Sequence, residues 1–137
     1  MKLHEFHARS LESSLTLADA SVHRMERLLT DGGEEGVVRT IENTLSPELR
    51  ATLLRFVRTL REMLAAMAES FSLEQHPLDI RRVLDAETST LWVLFEDCRP
   101  ARMKGYGQEF APQARAGLDE NIDRLVAHVR SMRLHLQ

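Results

Sequence analysis

DAETSTLWVLFEDCRPARMKGYG, residues Asp85 to Gly107, is the stretch on which the reading of the fold turns. At its centre Leu91-Trp92-Val93-Leu94-Phe95 is an unbroken apolar run. Successive helical residues turn by about 100°, so such a run passes right round the axis and leaves no polar side for water. Ile80, Leu84, Glu87, Leu91, Leu94 and Cys98 recur at spacings of three and four, which puts them on one helix face. The spacing predicts a third helix over about residues 77–99. His76-Pro77 opens it and Pro100 stops it, because proline suits a first helical turn and breaks a continuing one.

Working outward, the same periodicity appears three more times. Leu11, Leu15, Ala18, Val22, Met25 and Leu29 form a stripe on a first helix over about 4–30, closed by Asp31-Gly32-Gly33. Ser46-Pro47-Glu48 starts a second helix over about 47–71: Ser caps an orphan N–H, Pro suits the first position, and Glu complements the helix dipole. Its stripe is Leu49, Leu53, Phe56, Leu60, Met63, Met67 and Phe71, broadened by Leu54, Val57, Leu64 and Ala68. A fourth helix over about 112–136 carries Leu118, Ile122, Leu125, Val129, Met132 and Leu136. Between the first two helices, Glu34 to Asn43 is a connector with room for a short helix. No stretch alternates with period two. Four helices of matched length and short connections predict an all-α fold, an antiparallel up-down-up-down four-helix bundle in a single domain spanning residues 1–137.

At 137 residues, with 43% apolar and 28% charged side chains, the chain has the composition of an ordinary globular domain. A net charge of −3 gives no electrostatic footprint for nucleic acid or an anionic membrane. One cysteine rules out an internal disulfide and suits a reducing compartment. No apolar run approaches the roughly 20 residues that span a bilayer, and MKLHEFHARS lacks the apolar core of a signal peptide. The expectation is a cytoplasmic protein without nucleic-acid or membrane partners.

The bundle would gather polar residues at its two ends. One end collects His4, His7, His76 and His135, imidazoles that could ligate a transition metal or could equally be freely tolerated surface residues. The other collects Arg99, Arg102, Lys104 and Tyr106 from the loop after the third helix. Those cations can hold an anionic ligand, or complement the helix C-terminus and pair with the acidic connector. Glu87 breaks its apolar row. Buried there, a carboxylate must be paired, hydrogen-bonded or protonated, so it is a candidate ligand or acid–base group, or a register device meeting an arginine of a neighbouring helix. Trp92, Val93 and Phe95 are candidate interface residues and Cys98 a small core or interface hydrophobe.

Ala101-Arg102-Met103-Lys104-Gly105 resembles the segment of histidine phosphotransfer domains in which the phosphorylated His stands four residues before the Gly of a Lys-Gly pair. Ala101 occupies the place of that His, so the resemblance implies no phosphotransfer and no family membership. The chain also lacks a glycine-rich phosphate loop, a nucleophile elbow or a paired-histidine metal motif, and no cofactor is expected. The expected function is a non-enzymatic helical interaction module that self-associates as a homodimer through the second and third helices. The alternative is a small-ligand or metal-binding bundle that uses Glu87, the 99–107 loop or the histidine-rich end.

Overall fold

A computed structural model describes residues 1–103, 107 and 109–137 of the chain. The fold is all-α: helices α1 (Glu5–Asp31), α2 (Pro47–Ser70), α3 (Ile80–Asp97) and α4 (Pro112–Leu136), with a minimal two-stranded sheet, β1 (Gly33–Glu35) and β2 (Thr40–Glu42), and a 3₁₀ turn at Pro100–Met103. The helices fall into two compact units, Met1–Gln75 and His76–Gln137.

In the first unit α1 packs on α2. Ser46 caps α2 by accepting from the Leu49 N–H at 3.2 Å, with Pro47 in the first turn, as its sequence predicts. His4 caps α1, its Nδ1 accepting from the Phe6 N–H at 3.3 Å. Gly32 ends α1 in the left-handed conformation, φ 75°, and returns its N–H to the Leu28 carbonyl at 3.0 Å. The guanidinium of Arg50 reaches back from α2 to the last carbonyls of α1. Its Nε donates to Leu29 O and its NH2 donates to Thr30 O at 2.6 Å. A cation on orphan carbonyls at the negative end of a helix is doubly favourable, and it fixes the two helices antiparallel.

The connector is a β-hairpin rather than a short helix. Gly33 pairs with Glu42, Glu34 with Ile41 and Glu35 with Thr40. Gly33 sits at φ 122°, and a Cβ there would lie 2.3 Å from the Ile41 carbonyl oxygen, so only glycine admits this pairing. Strands this short offer no alternation for a sequence reading to detect.

In the second unit α3 packs on α4, again antiparallel. Arg99 at the end of α3 pairs with Asp119 and Asp123 near the start of α4, at 3.4 and 2.9 Å. Arg133 near the end of α4 pairs with Asp85 near the start of α3 at 3.2 Å. α3 begins at Ile80, three residues after Pro77, because the carboxylate of Asp79 caps it by accepting from the Arg81 N–H at 2.8 Å. α4 begins at Pro112, as predicted, and runs unbroken through Gly117.

The buried residues of the first unit are Val22 and Val57; those of the second are Thr88, Pro100, Ile122, Val126 and Val129. On α1 the predicted stripe is the packed one apart from Met25, which is exposed: Leu11, Leu15, Ala18, Val22 and Leu29 are buried or half-buried. On α3 it is not, and on α2 the packed side is the broadening row, with Leu53 and Phe71 of the main stripe half-buried beside it. On α2 the packed row is Arg50, Leu54, Val57, Leu64 and Ala68, whereas Leu49, Phe56, Leu60, Met63 and Met67 of the predicted row are exposed. On α3 the packed row is Thr88, Trp92, Phe95 and Arg99, whereas Ile80, Leu84, Glu87, Leu91, Leu94 and Cys98 are exposed. The two rows differ by one residue, a rotation of about 100°. Each of these helices thus has two apolar faces, one satisfied inside its own hairpin and one facing water.

Candidate functional site

Each unit exposes a row of large apolar side chains on one helix. On α2, Phe56 is 66% exposed and stands between Leu49, Leu60, Met63 and Met67, all of them exposed. The row spans the rise from residue 49 to residue 67, about 27 Å at 1.5 Å per residue. On α3, Leu94 is 53% exposed and is flanked by Val93, Leu91, Leu84, Val83 and Ile80. Monomeric proteins rarely leave apolar patches above a few hundred Å² in water without use.

Behind these rows the hairpins are locked by ion pairs. In the first unit Glu26 of α1, with its side chain 23% exposed, receives Arg61 at 3.0 Å and Arg58 at 3.9 Å from α2. Arg61 also meets the His23 ring at 3.0 Å. In the second unit Arg99 grips Glu96 through two bonds, Nε to Oε2 at 2.8 Å and NH2 to Oε1 at 3.0 Å, in addition to its pairs with Asp119 and Asp123. The guanidinium of Arg99 holds the Glu96 carboxyl below its ordinary value, first through the hydrogen bond and then through charge; Arg102 adds to the second effect. Hydrogen bonds and charge from Glu96 and Asp123 hold the Arg99 guanidinium above its own ordinary value.

Several expected site residues stand differently from their predicted setting. Glu87 is exposed, with no hydrogen bond or ion pair among the described residues, so it is not the buried carboxylate that its row implied. The buried polar group is its neighbour Thr88, 2% exposed, whose hydroxyl donates into the backbone at Leu84 O, 2.8 Å away. The arginine expected opposite Glu87 exists but serves this neighbour. Arg133 of α4 donates to the Asp85 carbonyl at 3.0 Å, to the Thr88 hydroxyl at 3.4 Å and to the Ser89 hydroxyl. On α2, Arg55 donates to the Thr52 hydroxyl, and Arg58 and Arg61 pair with Glu26.

In the basic loop, Arg99 is committed to carboxylates of its own unit, Arg102 is exposed, and Lys104 and Tyr106 lie outside the described residues. The acids that neutralise Arg99 come from its own unit, Glu96 of α3 and Asp119 and Asp123 of α4. Trp92 and Phe95 are half-buried on the packed face of α3, with the Arg130 guanidinium 5.1 Å from the Trp92 ring centre. Val93 is exposed, and Cys98 is exposed rather than core.

Of the four histidines considered as metal ligands, His4 and His7 approach edge to face at 5.9 Å, but the Nδ1 of His4 is engaged as a helix cap. The Nδ1 of His135 hydrogen-bonds the Ser131 carbonyl at 2.8 Å, and His76 lies at the exposed start of the second unit. No group of three His, Cys, Asp or Glu side chains among the described residues is placed to hold a metal ion. Among the described residues no helix is long and apolar enough to cross a membrane.

The features that sequence reading missed are the β-hairpin and the arginines that tie the helices together. Arg50 was legible only as a charge next to a good helix start, and Arg133 only as a basic last turn. Compared with protein-family models, with curated proteins and with solved structures, the chain finds no match.

Proposed function

We propose that the protein is a non-enzymatic helical interaction module that acts as a homodimer, with the exposed apolar rows of α2 and α3 as its association surfaces. The observation that carries this reading is the duplication of the apolar face on both helices. A two-helix hairpin needs one row to hold its partner helix, and a second row of Phe, Leu and Met has no use inside that hairpin. Val93, exposed beside Leu94, belongs to this surface, while Trp92 and Phe95 support it from behind.

Burying such rows against a second copy removes apolar area from water, which contributes about 25 cal/mol per Å². Stable dimers bury about 800 Å² on each partner, and two helix rows of this length supply a large part of that. A cytoplasmic setting agrees with this role, because the single exposed Cys98 stays reduced there.

The deciding experiment is multi-angle light scattering across a concentration series, on the parent chain and on Leu94→Asp. A dimer mass for the parent and a monomer mass for the variant, both helical by circular dichroism, are the expected results. A monomer mass for the parent at micromolar concentration refutes the reading.

A further inference from the structure

The tip of the β-hairpin is built from residues that a hairpin does not favour. Gly36 N–H donates to the Arg39 carbonyl at 2.9 Å, closing the turn around Val37-Val38. Two-residue hairpin loops prefer Asn, Asp and Gly because their usual turns need positive φ, and β-branched side chains fit them worst. Neither valine has a positive φ, so the turn departs from the preferred types to accommodate them. Both side chains are fully exposed, Val38 at 98%, and pack on nothing. A local rule broken with no return in packing marks a contact made outside the fold.

The flanks of the tip are acidic. Glu34 is engaged by Arg24 at 2.9 Å and Arg27 at 3.8 Å, whereas Glu35 and Glu42 have no ion pair among the described residues. Acidic flanks repel anionic lipid headgroups, so a membrane is the wrong surface for this finger.

The second unit carries a surface that fits. Leu84 of α3 with His128, Ser131, Met132, His135 and Leu136 of α4 lines an open groove of about 350 Å³, within the lower range of small binding clefts. Leu84 also belongs to the exposed row of α3, so the groove continues the proposed association surface. Beside it, Arg81 and Arg82 line a recess together with Asp85, Leu136 and Gln137, and neither arginine has an ion pair among the described residues. The acids there are occupied: Asp85 by Arg133, and Asp79 as the cap of α3.

We propose that the Val37-Val38 tip of one copy seats in the Leu84–Met132–Leu136 groove of a second copy, with Glu35 and Glu42 against Arg81 and Arg82. Exchanged reciprocally, the contact is the same on both copies and closes a symmetric dimer without open-ended growth. This assignment rests on the self-association reading and names the segment that covers one end of the α3 surface.

The test places the two halves of the contact on different molecules. One chain carries Cys98→Ser with Val38→Cys, the other Cys98→Ser with Met132→Cys; equal amounts are mixed and oxidised mildly with copper phenanthroline. The control pairs the Val38→Cys chain with the parent, whose Cys98 is exposed but outside the groove. Seating raises the local thiol concentration towards millimolar, so the mixed disulfide dimer is expected to form at least about tenfold faster than in the control. Should Met132→Cys not fold, Leu136→Cys is the groove variant. Formation no faster than the control, or a Val38–Val38 product that dominates, overturns the proposal. Light scattering on the Cys98→Ser chain in the same buffer separates the two readings. A dimer mass without the mixed disulfide overturns the finger alone, and a monomer mass overturns self-association as well.

Discussion

Replacing Phe56 with Ala distinguishes a face that is used from one that is merely wet. A Phe side chain offers about 200 Å², and at 66% exposure about 130 Å² of it remains to be covered, or about 3 kcal/mol at 25 cal/mol per Å². Within the hairpin the substitution removes little, because the packed position is its neighbour Val57. The cost therefore falls on association. Allowing for the methyl group that Ala retains, about 2 kcal/mol per copy, counted twice in a symmetric dimer, weakens the dimer by at least about 100-fold in Kd.

Sedimentation equilibrium over a hundredfold range of concentration measures that shift. Arg55→Ala, exposed on the same helix, is the control and is expected to leave Kd within about threefold. Val57→Ala should do the reverse, lowering the stability of the helical fold by about 2 kcal/mol through a lost buried isopropyl group. If Phe56→Ala and Arg55→Ala have the same Kd, the outer row is not an interface and the reasoning fails.

Other perturbations bear on the parts that hold the hairpins together. Arg50→Ala leaves the last carbonyls of α1 without their cation and should lower stability by about 2 kcal/mol in urea denaturation, while Arg50→Lys restores only part of this because a point charge cannot span both carbonyls. Gly33→Ala forces a Cβ onto the Ile41 carbonyl oxygen and should open the β1–β2 pairing, seen as loss of amide protection at Glu34 and Ile41; retained protection would show that the turn adapts. Because Arg99 depresses the Glu96 carboxyl, this pair stabilises the fold above the unfolded Glu value near 4.3, and the contribution disappears as pH falls through the lower folded value. Arg99→Gln should remove that acid-side dependence and return the Glu96 titration, followed by side-chain NMR, towards the ordinary range. An unchanged titration would mean that the ion pair is not formed in solution.

The helices were legible because their signals are local. Spacing of three and four, Ser46-Pro47 at a start and Gly32 at an end each follow from sterics or hydrogen bonding within one turn. Which row of a helix meets which neighbour is not local. On α2 and α3 two apolar rows lie one residue apart, and the richer row, with Phe56, Met63 and Leu94, draws the eye although the poorer row is the packed one. The unbroken run 91–95 put apolar side chains all round that part of α3, but it could not say which of them, Trp92 and Phe95, face the partner helix and which, Leu91, Val93 and Leu94, stay exposed. Glu87 was misplaced by the same one-residue rotation, which put Thr88 inside and left the carboxylate in water. The Arg50 and Arg133 contacts join residues 20 and 48 positions apart, a separation that composition and periodicity cannot register.

The connection of α1 to α2 through a hydrogen-bonded hairpin bears on how quickly the chain reaches its native state. Pairing Gly33 with Glu42 draws the two helices together through contacts between near neighbours in sequence, the kind that form in microseconds to milliseconds. Val22 and Val57 are the buried side chains of the hairpin so formed, and Arg50 and the Glu26–Arg61 pair hold its two helices together. On the association reading proposed above, docking of the outer rows comes after this step. A second-order phase should follow the rapid local one during refolding, with a rate proportional to protein concentration. Substitutions on the outer rows would slow that later phase and leave the first unchanged.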